Sequence, residues 1–352
     1  MDVPAKARRF RSVYIVKPWY DWAFFLLPPL AALVLGILVS HSDKAREVFT
    51  WSDQDDITLE TLLLGIFIQA HLVIVLFRSH GNRAVLRRHP YRFTLVPGLL
   101  LLGMMLSPVF AICCSVLATF WDVYHSGAQT FGFGRIYDAK CGNDANEGRR
   151  LDFFLNQLLY AGPIIAGITM MDHFEDFLEF EAVHVVFFTR IPAFMTGHHA
   201  LIARGVIAAG TLFLLYYLWA NWRMARRGRV VCWQKVFLFT STGAVSIYTW
   251  GFNSWGAAFL IMNVFHGLQY FAIVWASEHQ NLRRVFRLER VPGGRMLTWW
   301  IFVGLAAAYG IAVEAWADGR SMLWWSATIV LSLMHFWYDG FIWSVRKATG
   351  AK

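Results

Sequence analysis

Charge is scarce in this chain: 16% of its 352 residues are Asp, Glu, Lys or Arg, against about a quarter in a soluble domain. With 57% hydrophobic residues beside it, that shortfall argues against a water-soluble fold. Cysteine is scarcer still. Cys113 and Cys114 are neighbours in an apolar block, while Cys141 and Cys232 lie among basic residues. That pattern yields neither a disulfide framework nor a thiolate metal motif. There is no low-complexity tract and no strict internal repeat. The basic start "AKARRFRSVYIVK" leads into an apolar block without a small-residue cleavage site, so no signal peptide is expected to be removed. The "GFGR" at Gly132 to Arg135 lacks the context of a dinucleotide-binding loop.

Apolar sequence is what the chain has in excess. Blocks of about membrane-spanning length fall near 20–40, 61–79, 93–107, 109–127, 151–171, 200–222, 235–251, 254–277, 297–316 and 322–345. Pro28 and Pro29 should kink the first, and Pro108 suits a tight turn between the third and fourth. The formal charge of +9 could suggest nucleic acid, but Lys and Arg sit at block ends, as the positive-inside rule places them. Arg78, Arg83, Arg87, Arg88 and Arg92 form one basic connection, followed by Arg135, Lys140, Arg149 and Arg150. Next come Arg223, Arg226, Arg227 and Arg229, then Arg283, Arg284, Arg287, Arg290 and Arg295, with Arg346 and Lys347 at the end. The opposite connections are acidic ("HSDKAREVFTWSDQDDITLE" and "MDHFEDFLEFEAVH"). The expected fold is therefore all-α: a polytopic transmembrane bundle of about ten helices with both termini cytoplasmic. It forms one integral membrane domain over 1–352. Residues 171–199 are expected as an acidic extracytoplasmic loop, in which "FLEFEAVHVVFF" could lie as a short surface helix. The expected partner is the lipid bilayer, with no nucleic acid.

Four histidines fall inside these blocks: His71, His125, His266 and His335. Counted at about 1.5 Å per residue from the following charged ends, they come to a similar depth, roughly 10–18 Å in. Asp122 and Gln129 share a helix face with His125, Asn263 and Gln269 flank His266, and Asp339 lies one turn beyond His335. Gln69, two residues from His71, should point elsewhere. A lone core histidine is usually satisfied by a neighbour, but ionisable groups inside a membrane are costly and generally face a functional interior. A shared site is the expectation, with the four histidines as metal ligands. Asp122 and Asp339 are candidate catalytic residues, either as ligands or as orienters of a ring N–H. Trp121, Gln129, Gln269, Trp337 and Tyr338 are candidates for a substrate pocket. The other Trp mostly lie near block ends, as an aromatic belt would place them. His80 and His89 fall in a basic connection and His173 and His184 in the acidic stretch, where solvated roles are expected. His198 and His199 should sit at the interface.

A His or His/carboxylate set suits Fe(II), with zinc or copper less favoured for redox chemistry in lipid. Three function classes follow. The first is a metal-dependent, non-haem iron oxygenase or oxidoreductase acting on a hydrophobic isoprenoid or lipid, served by an electron-donor protein or a larger membrane complex. The second is haem-binding electron transfer through paired histidines. The third is a proton-coupled transporter with an intramembrane His/Asp relay.

The segments "WDVYHSGAQTFGFGRIYDAK", "FHGLQYFAIVW" and "HFWYDGFIW" resemble those of uncharacterised bacterial polytopic membrane proteins. Intramembrane histidines on separate helices also resemble the Brp/Blh-type membrane carotenoid dioxygenases. The resemblance covers the histidine-bearing helices; the helix count and the long acidic stretch depart from that family. It implies a bacterial inner (plasma) membrane location and a catalytic iron, which would fall to His71, His125, His266 and His335.

Overall fold

The structure is a computed structural model, described for residues 12–45, 47–50, 56–316 and 321–343. These residues are mostly helical, with one antiparallel pair, β1 (Val48–Thr50) and β2 (Asp56–Thr58). The chain enters through α1 (Pro18–Asp21), a π-helical turn at Trp22–Leu26 and α2 (Pro28–Ser40). Beyond the β-pair follow α3 (Leu59–Val73), α4 (Val75–Ser79), α5 (Arg83–Arg88), α6 (Pro90–Leu106) and α7 (Pro108–Lys140). Next are α8 (Arg149–Ala166), α9 (Met170–Phe174), a 3-10 segment at Glu175–Val183 and α10 (Val186–Arg226). The fold closes with α11 (Trp233–Phe252), α12 (Trp255–Val285), α13 (Gly294–Trp316) and α14 (Met322–Ile342).

Five stretches are long and apolar enough to cross a membrane: Leu59–Ser79, α7, α10, α12 and α13; counting two bent pairs as single spans gives up to seven. One bend, of 48°, falls at Pro28–Pro29, where two residues without a backbone N–H start a helix. The other turns 103° after α8. Over the described residues each apolar block read from the sequence is largely helical, and the set of long apolar helices is compatible with a multi-pass membrane protein. Helices α6, α11 and α14 fall short of the span criteria. Helix α6 has only 17 residues. In α14, His335 and Asp339 dilute the apolar run, and in α11 Ser, Thr and Lys235 do the same. Arg346 and Lys347, the basic end expected to fix the last helix, lie outside the described residues, as do the first eleven.

Two boundaries differ from expectation. Helix α7 runs on to Lys140, because the polar residues that read as a connection are paired inside the protein, as detailed below. The acidic stretch is largely helical: α9 and the 3-10 segment take its acidic part, and α10 begins at Val186. Thr58, Asn82, Ser107 and Ser321 cap the starts of α3, α5, α7 and α14 by accepting backbone N–H groups.

Helix α12 is the centre of the bundle, with 67% of its most apolar window buried, while α10 lies at the periphery with 6%. Close approach to α12 depends on Gly267. A Cβ there would sit 2.6 Å from the Phe67 ring and 3.3 Å from His71 Cβ. The missing side chain lets α3 lie against α12, which brings the histidine of each helix to the other. Gly310 does the same for α13, where an added Cβ would strike the Ile66 carbonyl. A core of Phe93, Tyr270, Phe302, Leu333 and Tyr338 holds α14 and its neighbours around this crossing.

Candidate metal centre

The four histidines of the apolar blocks meet. His71 on α3, His125 on α7, His266 on α12 and His335 on α14 are each at most 4% exposed. Ring centroids lie 5.3 Å apart for His71 and His266, 5.0 Å for His71 and His335, 5.1 Å for His125 and His266, and 4.8 Å for His125 and His335. Donor atoms of His71, His266 and His335 fall within 4.8 Å of one another, and so do those of His125, His335 and Asp339. His335 belongs to both groups.

Local bonding decides which atoms face inward. His335 Nδ1 lies 3.2 Å from the Leu72 carbonyl. A carbonyl only accepts, so Nδ1 carries the hydrogen and Nε2 keeps its lone pair, the arrangement metal-ligating histidines commonly show. That Nε2 faces His125 Nε2 at 3.2 Å. Asp339 divides its two oxygens. Oδ1 accepts from the Tyr270 hydroxyl at 2.8 Å and the Trp343 indole at 3.0 Å, leaving Oδ2 3.8 Å from His125 Nε2. Trp343 is braced in turn by the Arg78 guanidinium, 4.0 Å above its ring, and Arg78 is paired to buried Glu278.

Neither nitrogen of His71 and neither nitrogen of His266 makes a well-formed hydrogen bond to protein, although all four atoms are buried. Buried polar atoms without partners are uncommon and ask for an explanation. A cation supplies one: ligands about 2.1 Å from an ion lie roughly 3–4.2 Å apart, close to the spacing within each of the two donor groups. Four imidazoles and a carboxylate are N/O donors suited to a first-row transition ion.

Two cavities reach the histidines from different directions. An acidic cavity of about 300 Å³ runs past Asp172, Asp176, Thr119 and Asp122 to His71. A basic-edged cavity of about 240 Å³ extends from Arg135 and Arg149 to His125 and Asp339. Phe336, its ring centroid 5.0 Å from that of His125, lines both.

The remaining sequence candidates disperse around this centre. Asp122 belongs to neither ligand group and lines the acidic cavity. Gln69, expected to point away, lines that cavity with His71, its Oε1 buried without a partner. Gln129 borders the basic cavity, and its amide donates to the His266 carbonyl at 3.1 Å and to Gln269 Oε1 at 3.2 Å. Gln269 is fully buried and donates to the Phe25 carbonyl at 2.8 Å, so it ties α12 to the entry turn. Trp121, Trp337 and Tyr338 lie outside both linings: Trp121 packs near Phe336, and the other two pack with Phe341. His80 is bonded to Ser79 and the Phe93 carbonyl. His173, expected in solvent, is buried between Trp250 and Trp255 with Nδ1 at the Thr169 carbonyl.

A buried ion cluster is the feature that charge counting assigned wrongly. Arg135, expected in a solvated basic connection, is 2% exposed and bonds Asp138 and Asp152 at 2.7 Å each. Lys235 reaches the same two carboxylates at 2.8 and 2.7 Å, and Arg229 reaches Asp138 at 2.6 Å. Tyr217 on α10 donates to Asp152 at 2.8 Å. The cluster joins α7, α8, α10 and α11. The spacing of Arg135 and Asp138, one helical turn apart, was the available signal.

Compared with protein-family models, curated proteins and solved structures, the chain matches none.

Proposed function

We propose that the protein is a membrane-embedded oxygenase or related oxidoreductase, with one non-haem Fe(II) held by His71, His125, His266 and His335 and a hydrophobic isoprenoid or lipid as substrate. The observation that carries the reading is the convergence of four buried imidazoles, two of them without a well-formed hydrogen bond to protein, where two cavities meet. When bound, Fe(II) would supply redox chemistry toward O2 at a site with open positions. The chain supplies the rest. Leu72 and Asp339 orient rings, and Phe336 and the apolar walls exclude water. Asp339 Oδ2 is placed to hold or release a proton beside His125, and Asp122 to do so on the acidic side. Adjacent centroids about 5 Å apart are too close for a porphyrin between those rings, which weighs against haem ligation by these adjacent pairs.

The two cavities also favour a second reading. Asp122 on one side of the histidines and Asp339 on the other form the two ends of a proton relay, as a coupled transporter would need.

Oxygen uptake separates the readings. Protein in lipid nanodiscs, loaded with Fe(II) and given a lipid extract, is expected to consume O2 in a manner that needs both additions. His71→Ala should lose the uptake. Lack of uptake, together with proton flux in proteoliposomes that depends on Asp122 and Asp339, would instead establish transport.

A further inference from the structure

The basic-edged cavity carries a more specific statement about what enters it. Its walls are largely apolar, with Phe131, Phe133, Ile136, Phe153 and Phe336 among them. Its lining includes Tyr124 on α7 and Gly340 on α14, both exposed, so it reaches the protein's surface. At one edge stand Arg135 and Arg149; at the other stand His125 and Asp339. Arg135 and His125 are ten residues apart on one helix, α7, roughly 15 Å at 1.5 Å per residue.

The Arg edge is rich in positive groups. The buried cluster sets three cations, Arg135, Arg229 and Lys235, against two carboxylates, Asp138 and Asp152. A third carboxylate, Glu147, meets only Arg229, at 3.9 Å and from a partly exposed position. Arg135 Nε is buried and has no hydrogen-bond partner, although its other nitrogens are engaged. Arg149 adds a further positive charge, its guanidinium 5.1 Å from the Phe131 ring centroid. A buried donor without a partner is costly, and guanidinium groups suit carboxylate or phosphate heads.

We infer that the cavity takes an amphiphile with a single apolar chain and an anionic head, the head at Arg135 and Arg149 and the chain directed toward His125. This deepens the proposed function, on which it rests, by naming the class of substrate. It also gives the unpaired Arg135 Nε a partner.

The test uses detergent-purified full-length protein and electron paramagnetic resonance of 12-doxylstearic acid, whose spectrum broadens when the chain is immobilised. Oleate, 1-oleoyl-lysophosphatidate and methyl oleate serve as competitors. At least one of the two anionic competitors is expected to displace the probe at a concentration about tenfold or more below that of methyl oleate, as a charge-assisted contact predicts. The better of the two then distinguishes a carboxylate from a phosphate head. Arg149→Gln should abolish the preference for the charged head, and Arg149→Lys should keep most of it. Equal displacement by acid and ester in the wild type, or undiminished preference in Arg149→Gln, would overturn the inference. Metal content measured on the same samples keeps the two readings separate. Head-group preference without metal defeats the iron proposal alone, and metal without preference defeats only this one.

Discussion

His335→Ala is expected to weaken metal binding by more than about 100-fold, because loss of even an outer partner of a ligand typically costs about 10–100-fold. His335 is singled out because it belongs to both candidate ligand groups, and its Nδ1 is engaged by the Leu72 carbonyl, which orients Nε2 toward His125. No other histidine has both properties. Tyr270→Phe makes a graded comparison. It removes the 2.8 Å hydrogen bond to Asp339 Oδ1 while the Trp343 indole still holds that oxygen. Its effect should stay near the lower end, about tenfold. Titration with Co(II), followed by its absorption bands, measures both. Equal affinity in His335→Ala and wild type would remove His335 from the site.

The second large effect concerns stability. Asp152 has one oxygen between Arg135 and Lys235, at 2.7 Å from each, and its other oxygen accepts from Tyr217 at 2.8 Å. Asp152→Asn removes the negative charge and leaves two buried cations sharing one fewer carboxylate. Breaking a buried ion pair in this one-sided way costs about 3–5 kcal/mol. The variant should lose monodispersity in detergent at a clearly lower temperature than the wild type. Adding Lys235→Met to Asp152→Asn removes one of the stranded cations, and much of the loss should return. A single variant as stable as the wild type would mean that the cluster does not hold α7, α8, α10 and α11 together.

Much of this architecture could be read from residue order, and the failures have one physical cause. Apolar blocks mark helices because burial or lipid must cover their side chains, and over the described residues each block is largely helical in the structure. The bend at Pro28–Pro29 and the break before Pro108 follow from proline's missing N–H. The convergence of His71, His125, His266 and His335 was visible because an intramembrane histidine is costly at any position, so four at similar depth suggest a shared purpose. Polar residues at helix ends were harder to place. Arg135 and its helix neighbour Asp138 look like a solvated pair until Asp152 on α8 and Lys235 on α11 are brought to them. That is tertiary information that spacing within one helix cannot hold. The same limit applies to Gln69 and Gln129, which helix phase alone assigned to faces but which a cavity and a cross-helix bond place more fully. His173 is a similar case: its acidic neighbours suggested solvent, while Trp250 and Trp255, far along the chain, bury it.

X-ray absorption at the metal edge, on wild-type protein purified gently and assayed for its metal content, tests the proposed centre most directly. One metal per chain is expected, with N/O ligands only, at about 2.0–2.2 Å, and with the outer-shell scattering of several imidazoles. A protein that binds no transition metal even when Fe(II) is supplied, or one whose absorption shows a Soret band, would contradict it.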